Sequence, residues 1–303
     1  MITTLPRQRI LSIDAFRGLT ILVMVFVNQL AGVSGVPQWA RHMKADADAM
    51  SFVDVVFPAF LFIVGMSIPF ALAQRQARGD DGAALQRHVL GRTLGLLVLG
   101  LFMVNAEDGF NPAFMPWSIG TWSLAFYALC HAFPSSAYPT WADLTDCGGL
   151  VCETSLTLLG AATSVLFFGP ATARRVARIA ALVAALVVAG ALLRSPYTIS
   201  KIYGSPTWCL YSAAICIVLF AALHWLVDVR GHERWTAFLM PVAAQPLVAY
   251  LIPFVVEAAL GAFHVELPDV LNRGAAGVAF CVVFVAFVLG ATALVSRQVR
   301  LQL

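Results

Sequence analysis

Runs of about twenty apolar residues, separated by short polar stretches, recur along the whole chain, and each is long enough to cross a hydrocarbon core as a helix. The expected spans are 13–33, 52–73, 89–104, 117–133, 156–169, 179–193, 208–227, 237–260 and 275–295. The runs are continuous, whereas a β-barrel would alternate apolar and polar positions over short segments. The pattern predicts an all-α, polytopic helical bundle of about 8–10 transmembrane helices, forming one domain over residues 1–303. One region breaks the rule. Between the runs at 117–133 and 156–169 lies "PSSAYPTWADLTDCGGLVCETS", too polar and too rich in turn residues for a span. Residues 131–156 are therefore expected to be irregular. Either neighbouring run could be re-entrant, or the break in composition could be local damage of the kind a frameshift leaves.

Composition agrees with the pattern: 60% of the 303 residues are hydrophobic and only 12% are charged. A soluble domain carries about 25% charged residues. The net charge of +3 carries little information about partners. The basic residues sit beside apolar runs as topology signals, which argues against a nucleic-acid partner. Arg75 and Arg78, Arg174, Arg175 and Arg178, Arg230 and Arg234, and Arg297 and Arg300 are read as cytoplasmic by the positive-inside rule. Both termini are then cytoplasmic, and His42 lies on the far side. The first span has no cleavage-site pattern and is expected to be retained. Six cysteines show no CxxC spacing; Cys147 and Cys152 pair only if their segment meets an oxidising compartment. His131, His224 and His264 have no neighbours at metal-ligand spacing, so no metal is expected.

The residues with chemistry to offer cluster early. Asp14 and Arg17 are three apart at the start of the first span and share a helical face, with Ser12 as a candidate N-cap. They suit either a structural ion pair or a mouth for a phosphorylated ligand. Asn28 lies near the other end of the same span. Its amide can join helices or orient a reacting carbonyl. His42 follows in "WARHMKADAD". Asp46 would share its face at i+4 if the segment were helical, and Asp54 begins the second span. An imidazole oriented by a carboxylate is the usual general base at neutral pH. Lys201, in "YTISKIYGSPTW", is read as an interface marker or as a contact for an acidic or sugar ligand. No Gly-rich phosphate loop, nucleophile elbow or dinucleotide fingerprint is present.

"RILSIDAFRGLTILVMVFVN", then a loop histidine, then "FVDVVFPAFLFIVGMSI" resembles the start of the catalytic domain of the heparan-α-glucosaminide N-acetyltransferase family, including bacterial relatives. "ISKIYGSPTWCLYSAAICIVLFAALHWLVDVRG" and "PVAAQPLVAYLIPFV" resemble later blocks, so the likeness covers about 9–104 and 197–256. The resemblance implies a transmembrane acyltransferase that takes an acetyl group from cytoplasmic acetyl-CoA. The acceptor would be an amino sugar or glycan across a bacterial inner membrane. It assigns His42 and Asn28 to catalysis and matches Asp54 to a signature acid; the residue spacing leaves Asp46 or Asp54 to orient the imidazole. Asp14, Arg17 and Lys201 would serve the co-substrate. An acetyl-His42 intermediate and direct transfer are both open. Proteins of this kind often dimerise, so a homodimer is a candidate assembly. The loop "MKADADAMSF" departs from the Trp-Asn-Gly run common after the histidine, and Gln245 stands where the animal enzyme has asparagine. The competing reading is a transporter of an amino sugar or related solute, its polar residues lining a path.

Overall fold

The computed structural model describes residues 10–108, 141–169, 173–265 and 267–298, with side chains for all of these except 96–108, 141–150 and 298. The expected run at 117–133 lies outside the described residues, as do both termini. Nine α-helices follow one another there: α1 Leu11–Leu30, α2 Phe52–Ala77, α3 Gly82–Asp108, α4 Trp141–Phe168, α5 Arg175–Leu193, α6 Pro206–His224, α7 Met240–Ala244, α8 Pro246–Ala262 and α9 Gly274–Gln298. Six of the described helices are long and apolar enough to cross a membrane, and α7 with α8 makes a seventh if counted as one broken span. The molecule is an all-α polytopic bundle.

Two expectations are corrected. The polar stretch before residue 156 was expected to be irregular, yet α4 starts at Trp141 and its apolar window runs from Val151 to Phe168. The backbone of "DLTDCGGLVCETS" is therefore helical despite its turn-like composition. The run at 237–260 was expected as one span. Instead it is a 3₁₀ segment, Arg234–Leu239, then α7, then α8 bent away by 69° at Gln245. Pro246 has no N–H to offer the carbonyl four residues back, so the break falls beside it. Gln245 takes a non-helical φ of −130° and ψ of 57°.

Helix α1 is the central post. It contacts α2, α6, α7, α8 and α9, and two thirds of its apolar window is buried inside the protein. On one side Phe62, Ile63 and Met66 of α2, Leu156 of α4, and Trp208, Ile217 and Phe220 of α6 form a fully buried core. On the other side Ile21 and Val25 of α1 pack with Leu239, Val242 and Val288. Lipid offers little hydrophobic drive for helix association, so this close packing is what holds the bundle together.

The loops sort into two ends. Ser34 pairs with residues 272 and 274, and Asp48 binds Ile199 N and Arg194, so loops 31–51, 194–205 and 263–273 share one end. At the other end Ser12 meets the π-helical turn Trp225–Val229 that extends α6. This grouping agrees with the alternation read from the basic clusters. Ser12 is not the N-cap of α1: Ile10 holds that position, and Ser12 Oγ donates to Asp228, which also accepts Ser12 N–H at 3.3 Å. Asp228 is bound in turn to His224 Nδ1 at 2.6 Å. A carboxylate from the end of the α6 segment thus does the capping that the sequence suggested for the serine.

Candidate functional site

Asp54 is the third residue of α2, where a carboxylate can reach back to the N-cap. Its Oδ2 accepts Ser51 N–H at 2.9 Å, Ser51 Oγ–H at 3.0 Å and Met43 N–H at 3.2 Å. Its Oδ1 lies 2.7 Å from His42 Nδ1. The carboxylate side chain is 1% exposed and the imidazole 41% exposed, so a buried acid holds a ring that solvent and ligand can reach. Three donors fix Oδ2 and leave Oδ1 for the ring. That favours the tautomer with the proton on Nδ1 and the lone pair on Nε2.

Asp54 is pinned from the far side as well. Pro58 lies four residues on and has no N–H, so it cannot take up the Asp54 carbonyl. The indole N–H of buried Trp208 on α6 fills the gap at 3.0 Å. One proline therefore opens the backbone acceptor that ties α6 to the carboxylate-bearing turn of α2.

Lys201 reaches the other ring nitrogen: its Nζ is 3.3 Å from His42 Nε2. The turn that presents it is rigid. Ser205 Oγ accepts Ser200 N–H at 3.0 Å and caps α6 through Trp208 N–H, while Gly204 adopts a φ of +55° that suits glycine. Burial lowers the Lys201 pKa, partly opposed by the carboxylates of Asp54 and Glu153. Glu153, from the α4 segment expected to be irregular, is thus a neighbour that sequence reading missed. Its charge so close to an apolar span was the available signal.

Asp48 was also missed. It accepts Ile199 N–H at 2.8 Å and Arg194 Nε–H at 3.1 Å, clamping the His42 loop to the Lys201 loop. The Ile199 hydrogen bond, with help from Arg194, holds its carboxyl below the usual range. Asp46, expected to share a helical face with His42, does not. Residues 42–51 form turns with Asp48 at a φ of 42°, Asp46 is exposed, and Asp54 is the carboxylate at the ring.

The remaining expected residues lie elsewhere. Arg17 binds Asp14 at 3.2 Å, as the i,i+3 spacing predicts, and also the Ala243 carbonyl at 3.2 Å and Ser67 Oγ at 2.5 Å. It thereby ties α1 to α2 and to the carbonyl end of α7, where a cation complements the dipole. Lys201 is grouped with His42 and not with this pair. Asn28 is exposed and lines a cleft between α1 and α8. Cys152 is a buried free thiol, and the Cys147 side chain lies outside those described. Among the described residues no group of three metal-ligating side chains occurs.

A competitive amine-labelling experiment checks the environment of Lys201, because the chain has only two lysines, Lys44 and Lys201. The labelling of Lys201 should rise with a midpoint below the ordinary value of about 10.4. Asp54→Asn removes an opposing negative charge and should move it lower still. A midpoint at or above the ordinary value would show that burial does not dominate.

Fold and site define a class: a polytopic α-helical membrane protein with a carboxylate-oriented, solvent-reachable histidine at one end of the bundle. Within it, residues 9–119 match the family described as heparan-alpha-glucosaminide N-acetyltransferase, catalytic. Over 107 residues the chain is 32% identical to heparan-alpha-glucosaminide N-acetyltransferase of Homo sapiens, and over 105 residues 31% identical to that of Mus musculus. Each match covers 35% of this chain and 15% of the relative's length. The family match contains Asp14, Arg17, Asn28, His42 and Asp54; Lys201 comes from beyond it.

Proposed function

We propose that the protein is a transmembrane acyltransferase that moves an acetyl group from cytoplasmic acetyl-CoA to an amino-sugar or glycan acceptor on the opposite side. The observation that carries this reading is the Asp54–His42–Lys201 chain, whose His42 and Asp54 lie on the segment that matches an N-acetyltransferase family. CoA is too polar to cross the bilayer, so its thioester must be met inside the protein.

In this mechanism Asp54 keeps the His42 proton on Nδ1. The acceptor amine nitrogen attacks the thioester carbonyl carbon, and His42 Nε2 takes the proton the amine loses. The C–S bond breaks, and the imidazolium returns that proton to the departing CoA sulfur. Lys201, beside Nε2, supplies positive charge next to the oxyanion that forms during attack. It yields its contact with the ring as the acceptor enters. Asn28 orients the acceptor or carbonyl, and Asp14 with Arg17 borders the entry for the CoA phosphates. The setting is a bacterial inner membrane with both termini cytoplasmic, and a homodimer is the proposed assembly.

Purified protein supplied with acetyl-labelled acetyl-CoA and a panel of amino sugars provides the test. Wild type should release CoA and label an amino sugar, and His42→Ala should lower that rate by about 10²- to 10⁴-fold. CoA release unchanged in His42→Ala would remove the histidine from the mechanism. One observation favours the transport reading: the 69° break at Gln245 places a discontinuous helix beside Arg17, a device that transporters use. Flux of amino sugar into proteoliposomes without acetyl-CoA consumption would select it.

A further inference from the structure

The stretch from His42 to Asp54 reaches both ring nitrogens of the imidazole. At Nδ1 the contact is direct, through Asp54 at 2.7 Å. At Nε2 it passes through Lys201, which comes from a different loop and has to be held in place. Asp48 is the side chain that takes hold of that loop. Its Oδ1 accepts Ile199 N–H at 2.8 Å, two residues before Lys201, and its Oδ2 accepts Arg194 Nε–H at 3.1 Å. Arg194 Nη2 also donates to the Asp48 backbone carbonyl at 3.3 Å, so the arginine grips side chain and backbone together.

The chain is bent to make this contact. Asp48 has a φ of 42°, in the left-handed region that glycine, asparagine and aspartate tolerate best. Its two bonds are unequal. The Arg194 and Asp48 side chains are 50% and 37% exposed, and ion pairs so open to water contribute little. Ile199 is buried, so loss of its acceptor leaves a donor poorly placed to find water. Beyond Ile199 the turn closes on itself: Gly204 N–H donates to the Lys201 carbonyl and Ser205 N–H to the Ser200 carbonyl, both at 3.0 Å. Thr207 Oγ1 donates to the Tyr197 carbonyl at 2.6 Å. The backbone on both sides of Lys201 is thus pinned. Its flexible four-carbon stem is left to swing between His42 Nε2 and a reacting group.

We propose that Asp48 is a positioning residue: it latches the Lys201 loop to the His42 loop and so sets the reach of the Lys201 ammonium to His42 Nε2 and to the oxyanion. Its part in catalysis rests on the proposed function; the latch itself does not. Asp48→Gly tests it, because glycine accepts the left-handed backbone and only the carboxylate is lost. Lys201 freed from the site loses both the burial that lowers its pKa and the carboxylates of Asp54 and Glu153 that oppose it. The net shift is downward, so release should raise its labelling midpoint towards about 10.4. In the acetyl-CoA assay kcat should fall about tenfold to 10²-fold, with the KM for acetyl-CoA unchanged. Asp48→Asn keeps an acceptor for Ile199 N–H and should recover most of both. The loss in kcat should vanish in a Lys201→Ala background, where no ammonium is left to place. An equal loss in both backgrounds would reveal general destabilisation and overturn the positioning role. An unchanged Lys201 midpoint in Asp48→Gly would overturn the latch, and a raised midpoint with wild-type kcat would overturn its part in the reaction. Failure of wild type to transfer acetyl at all would remove the proposed function, and the labelling would still decide the latch.

Discussion

Replacing Asp54 by asparagine is expected to lower acetyl transfer by about 10²- to 10⁴-fold while leaving the protein folded. The reason is in the division of labour between its two oxygens. Met43 N–H, Ser51 N–H and Ser51 Oγ–H all donate to Oδ2. An asparagine keeps its carbonyl oxygen there to satisfy them, which places the amide NH₂ where Oδ1 stood. That group donates, so His42 Nδ1 must accept, and the ring proton moves to Nε2. The base then has no lone pair on the side facing Lys201 and the acceptor. Loss should appear in kcat more than in the KM for acetyl-CoA, because Asp54 acts through His42 and touches no substrate. Adding His42→Ala to Asp54→Asn should cost little more, as expected for two residues acting as one unit. Asp54→Ala differs: it strips three donors of their acceptor and should also lower stability, by about 1–3 kcal/mol for each donor left buried and unpaired. Activity in Asp54→Asn equal to wild type, with unchanged pH dependence, would end the positioning role of this carboxylate.

How much of this was legible in the chain depends on what carries each feature. The spans were readable because apolar runs reflect a solvent, not a partner, and α1, α2, α5, α6 and α9 begin and end within a few residues of the runs that predict them. The i,i+3 contact of Asp14 with Arg17 was readable for the same kind of reason: it is local. Asp46 was expected beside His42 because helical spacing was assumed in a loop that the chain turns at Asp48. The true partner, Asp54, sits twelve residues from His42 and comes to it only because it caps α2. Asp48, Glu153 and Lys201 converge from three separate stretches of the chain, two loops and a helix, and no local pattern encodes that. The break at Gln245 did carry a signal, since Pro241 and Pro246 bracket it, but hydropathy averaging conceals prolines inside an apolar run.

The second large effect concerns how close α2 and α4 come. A methyl group at Gly65 would lie 1.9 Å from the Thr157 carbonyl oxygen, and one at Gly160 would lie 2.1 Å from the Phe62 carbonyl oxygen. Both obstacles are backbone, so no rotamer change relieves them and the helices themselves must part. Gly65→Ala and Gly160→Ala are each expected to cost about 3 kcal/mol or more, at or above the top of the usual range for overpacking. The loss is measurable as a drop in thermal midpoint in detergent or as a shifted unfolding curve in mixed micelles. It should also reach the site, because α2 carries Asp54 and α4 carries Glu153, so separation of the two helices pulls Glu153 away from Lys201. Gly91 of α3, where an added methyl group would meet nothing within 4 Å, provides the control. Gly91→Ala should leave stability unchanged or slightly improved, since alanine favours an existing helix by about 1 kcal/mol over glycine. Equal melting of all three variants would mean that the α2–α4 contact is looser than its carbonyl-to-glycine distances require.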